Sequence, residues 1–111
     1  MIDTRDQLQR ARDRALRDKA LWASNNKPDR FAMSGRVVRM IDSLENPARL
    51  ASFEIWLKTA IGSCLFRGLC IVRCDHTVSE SHMLALVVMF HQGEDPRSVG
   101  DSLAPQSKGA A

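Results

Sequence analysis

All six cysteines and histidines of the protein, Cys64, Cys70, Cys74, His76, His82 and His91, fall within one stretch of 28 residues. Such crowding is what a metal centre produces, and zinc takes four such ligands in a tetrahedron, usually as close pairs that each pin a turn. Here the pairs are missing. There is no CxxC, HxxxH or HExxH, and the cysteines are interspersed with Leu65, Phe66, Leu69 and Ile71. Free cysteine in an apolar setting packs as a small hydrophobic side chain. The thiols therefore read as packing residues and the histidines as surface or cap residues, with no metal expected. Cys74 with His76 is the one local thiol–base pair, and Arg73 beside it would favour the thiolate. No orienting third group or oxyanion element accompanies it.

Other reaction machinery is equally sparse. The glycines stand at 35, 62, 68, 93, 100 and 109, and form neither GxGxxG nor a phosphate loop with its lysine, and GxSxG is absent. With no tyrosine and few other aromatic residues, the chain lacks the stacking platforms that bind single strands. Glu94-Asp95 reads as helix-capping chemistry after Gly93 rather than as a catalytic carboxylate pair. The expectation is a non-enzymatic protein with no catalytic residues and no cofactor.

Charge is unevenly placed. The net charge is +3, and residues 1–30 carry eight Lys or Arg against five Asp, while the rest of the chain is balanced. Asp6 precedes Arg10 by four and Asp13 precedes Arg17 by four, so much of this segment reads as a solvated, self-paired helix face. Arg10, Arg14 and Arg17 of this segment with Trp22, and Arg36 and Arg39 further on, are the candidate partner-binding residues. Several uncompensated cations are what phosphate binding requires.

The elements that must position these residues read as helices. Asp3 or Thr4 caps a first helix to about Ala23, with a weak stripe of Leu8, Ala11, Ala15 and Trp22 beside Leu16 and Ala20. Asn25 to Asp29 reads as a stop and turn. Ser34 caps a second helix with the face Val37, Met40, Ile41 and Leu44. Asn46-Pro47 opens a third, carrying Leu50, Phe53, Leu57, Ala60, Ile61 and Cys64, with Trp56 to the side and Gly68 at its end. Thr77 to Glu80 fits a capping box for a fourth helix, Val78 to Gln92, whose centre from Met83 to Phe90 is apolar all round. Gly93 ends it, and Asp95-Pro96 starts a short helix to Leu103. The stretch from Glu80 to Leu103 also has the rhythm of a helical hairpin, with too few base-reading side chains for a DNA-reading helix-turn-helix.

The fold expected is therefore all-α, a small bundle of four helices plus a short C-terminal helix, in a single domain over 1–103 with a mobile tail at 104–111. The alternative is α+β, with a hairpin pairing 69–74 and 84–90. No apolar run reaches the ~18–20 residues that cross a bilayer, and the first residues carry no secretory signal, so a cytoplasmic protein without a membrane partner is expected. The functional expectation is a regulator, adaptor or inhibitor acting through a protein partner, as a homodimer because the all-apolar helix has more surface than its neighbours cover. The alternative is a DNA-binding transcriptional regulator using the basic first helix with Arg36 and Arg39.

Overall fold

A computed structural model describes residues 4–74 and 77–103. Asp3, Asp75, His76 and the tail at 104–111 lie outside the described residues, so the expected first cap at Asp3, the Cys74–His76 pair and the mobile tail are not addressed by it. Five helices follow one another: α1 (Thr4–Ser24), α2 (Pro28–Ser43), α3 (Pro47–Phe66), α4 (Glu80–His91) and α5 (Val99–Leu103), the last preceded by a 3₁₀ turn at Pro96–Ser98. The fold is all-α.

The α+β alternative does not hold. Residues 84–90 are inside α4, and the 69–74 segment pairs only at one isolated antiparallel bridge, Val72 with Val78. Arg73 N–H donates to the Thr77 carbonyl at 2.8 Å beside that bridge. The β-branched residues of the segment serve a tight local return rather than a sheet.

Two helix starts differ from the sequence reading, each for a local reason. α2 begins at Pro28, not after Ser34, because proline's fixed φ and missing N–H suit the first helical position. The turn is only Asn25 to Lys27, with Asn26 in the left-handed region (φ 55°), a conformation asparagine tolerates. α4 begins at Glu80, capped by Ser79, whose Oγ accepts from His82 N–H at 3.3 Å. Thr77, the expected cap, is buried two residues earlier. The start of α3 is as expected: Asn46 Oδ1 accepts from Ala48 and Arg49 N–H at 3.0 and 3.3 Å, with Pro47 first in the helix. Gly68 and Gly93, with φ of 77° and 75°, follow the ends of α3 and α4.

The core runs from the inner faces of α1 and α2 through α3 to α4. Phe53, Leu44, Met83, Leu86, Val87, Val99 and Cys64 are fully buried. Trp56, expected at the side, joins them. Its ring lies 6.0 Å from Phe53 and 5.6 Å from Phe90, and its Nε1–H donates to the Glu94 carbonyl at 2.9 Å. A buried indole keeps its donor satisfied in this way. Gln7, also buried, accepts from Val78 N–H at 2.8 Å and ties α1 to the segment entering α4.

α5 does not fold back across α4 as a hairpin. It packs on α3, where Gly100 N–H donates to Ser63 Oγ at 2.9 Å and Ser63 Oγ donates to the Arg97 carbonyl at 2.7 Å. A side chain at Gly100 would run into the Ser63 carbonyl, so glycine is what permits this approach.

Candidate functional site

α4 is central but not enclosed. Met83, Leu86 and Val87 are buried, while Leu84, Ala85, Val88, Met89 and Phe90 are only partly covered. The partly covered side meets α2 in an open cleft of about 480 Å³, lined by Met33, Val37, Leu84, Ala85, Val88 and Met89, with Gln92, Glu94 and Ser102 on its margin. Met33 is 48% exposed within it. The two methionines are flexible and polarisable, which suits a surface that must repack around an incoming apolar group. At the margin Ser102 Oγ donates to Glu94 Oε1 at 2.7 Å.

Further along the same two helices the lining changes character. A cleft of about 340 Å³ is bounded by Arg36, Arg39, Met40 and Ser43 of α2, Arg49 of α3 and His91 of α4. Among the described residues no carboxylate lines it. Among the described residues none of these three arginines forms an ion pair. His91 Nδ1 lies 3.0 Å from the Val87 carbonyl, to which it donates, so in the neutral ring Nε2 is an acceptor. Arg49 Nη2 stands 3.2 Å from that Nε2 and Ser43 Oγ 2.9 Å from it. Ser43 Oγ is also 2.6 Å from the Met40 carbonyl, the acceptor that holds the hydroxyl to its own helix. Arg49 sits in the first turn of α3, where the helix dipole adds positive potential and cationic side chains are disfavoured. An anion in this cleft would relieve that, with three guanidinium groups able to donate to it.

Arg36 and Arg39 thus share one cleft. The other expected partner-binding residues are elsewhere. Arg10, Arg14 and Arg17 lie along α1, with Arg14 3.8 Å from Asp18 and 3.9 Å from Glu80. The anticipated Asp6–Arg10 and Asp13–Arg17 pairs are not formed; Asp13 instead accepts from Gln9 at 3.0 Å. Trp22 is at the α1–α2 tip, with the Arg30 guanidinium 4.7 Å from its ring centre. A gap between α1 and α2, about 380 Å³, is lined by charges of both signs, and Arg12 there pairs with Asp42 at 2.6 Å. That pair holds the Arg12 proton more tightly than usual through its hydrogen bond and charge. It pins α1 to α2 and leaves little charge for a ligand.

Sequence reasoning missed Ser43, Arg49 and His91, and the apolar cleft at Met33 and Met89. For Arg49 a signal existed, since an arginine in a helix's first turn with no acid beside it opposes the dipole.

Among the described residues no three His, Cys, Asp or Glu side chains gather as metal ligands. The cysteines are unpaired; Cys70 and Cys74 are exposed, and burial pushes the Cys64 thiol pKa up. Cys70 Sγ donates to the Val72 carbonyl at 3.2 Å. No helix is long and apolar enough to cross a membrane among the described residues. The chain matches no protein-family model, no curated protein and no solved structure.

Proposed function

We propose that the protein acts by binding another protein, as a regulator, adaptor or inhibitor, and that it docks its partner along the α2–α4 seam. The observation that carries this reading is the half-covered apolar side of α4 facing Met33 and Val37. An amphipathic helix or extended segment fits such a groove by burying its apolar side chains at helical spacing. A second copy of the chain is one such partner, and a homodimer in a cytoplasmic setting belongs to the same proposal. Nucleic acid is the second reading, favoured by Arg36, Arg39 and Arg49, which form no ion pair among the described residues.

Affinity capture from the native host after nuclease treatment separates the two. The expected result is a protein partner retained by the wild type and lost with Met33→Asp, or a dimer by sedimentation that the same variant splits. Binding to mixed duplex DNA at about 150 mM salt is expected to be no tighter than the ~10⁻⁴–10⁻⁶ M of non-specific contacts. A nanomolar, sequence-dependent complex with DNA, lost on Arg36→Ala with Arg39→Ala, would overturn the protein reading.

A further inference from the structure

We infer that the segment docked on the α2–α4 seam is acidic at one end, its carboxylates seated among Arg36, Arg39 and Arg49 while its apolar side chains fill the cleft of Met33, Val37, Val88 and Met89. This rests on the protein-docking reading and specifies the chemistry of the partner.

The two clefts are successive stretches of one seam. Arg36 and Val37 are neighbours on α2, and Val88 and His91 are one turn apart on α4. From Met33 to Met40 the rise along α2 is about 10 Å, or two turns. Along that length the lining passes from Met33 and Val37 to Arg36, Arg39 and Met40, so one end of a helical segment lies on apolar side chains and the other reaches the arginines. There it meets three guanidinium groups with no carboxylate partner among the described residues and a serine hydroxyl at the floor. Guanidinium pairs with carboxylate in a planar, two-pronged geometry, so this end selects acidic side chains. Glu94, on the margin of the apolar cleft, accepts from Ser102 through its Oε1 and would repel acidic side chains placed beside it. Acidic side chains are therefore favoured beside the arginines and disfavoured beside Glu94. Duplex DNA would also satisfy the arginines, but it has no use for the apolar cleft beside them.

The test is selection of a random peptide display library on the full chain, followed by affinity measurement of the enriched peptides. Expected are peptides with apolar residues at i, i+4 and i+7 and two or more Asp or Glu beyond one end. Arg36→Glu with Arg39→Glu and Arg49→Glu should weaken them about tenfold or more, and Arg10→Glu with Arg17→Glu should not. If the Glu variant loses its thermal transition, the Gln replacements at the three positions give the same comparison. Wild-type affinity should also fall with salt, as charge pairing requires. Enriched peptides without acids that still depend on Met33 would refute the charge inference and leave the docking reading standing. No Met33-dependent peptide, together with tight DNA binding through the same arginines, would refute both.

Discussion

Leu86→Asp is expected to abolish cooperative unfolding, while Met33→Asp keeps a wild-type-like thermal transition. The two positions belong to neighbouring apolar surfaces, yet their surroundings differ. Leu86 is fully buried in the centre of α4, within the hydrophobic core cluster. An unpaired buried charge costs several kcal/mol, against a total of about 5–15 kcal/mol for a whole domain. Met33 is 48% exposed at the rim of the cleft, where a carboxylate stays hydrated. Surface changes of that kind usually lie within about 0.5 kcal/mol. Circular dichroism melting checks both. A folded Leu86→Asp monomer would mean that α4 is displaced from the core.

The second large effect is at Gly100. A Cβ there meets the Ser63 Oγ and, closer still, the Ser63 backbone carbonyl, which cannot swing aside. Gly100→Ala should lower stability by about 1–3 kcal/mol, or roughly 4–8 °C in the thermal midpoint per kcal/mol. Gly62→Ala, on the open face of the same α3, is the matched control: nothing lies within 4 Å of its Cβ. Removing a mid-helix glycine there should stabilise by about 0.5–1 kcal/mol. Equal effects at the two positions would show that α5 does not sit against Ser63.

The helices were legible where punctuation was unambiguous. Asn46-Pro47, Gly68, Gly93 and Asp95-Pro96 all mark real ends or starts. Pro28 misled because proline after Asn-Asn-Lys reads equally as a breaker or as a first helical residue, and only packing against α1 selects the second. Ser79 displaced Thr77 as a cap for a tertiary reason, since burying Thr77 beside the Val72–Val78 bridge moves the helix start on by two. The apolar side of α4 was visible in the sequence, but which residues are buried depends on neighbours from other helices. The cationic cleft was half visible. Arg36 and Arg39 stand out by spacing, whereas Arg49 and His91 reach them only through the fold, from helices that the sequence alone does not place.

Docking along the α2–α4 seam is tested most directly by photo-crosslinking in the native host. A photoreactive residue is placed singly at Met33, Met89, Arg17 or Phe66, the last 87% exposed on α3 and away from both clefts. Digestion and mass spectrometry then identify what each position touches. The account predicts a peptide from one protein, or from a second copy of the chain, attached at Met33 and at Met89 and absent from Arg17 and Phe66. Adducts at Arg17 or Phe66, with Met33 and Met89 unmodified, would contradict it.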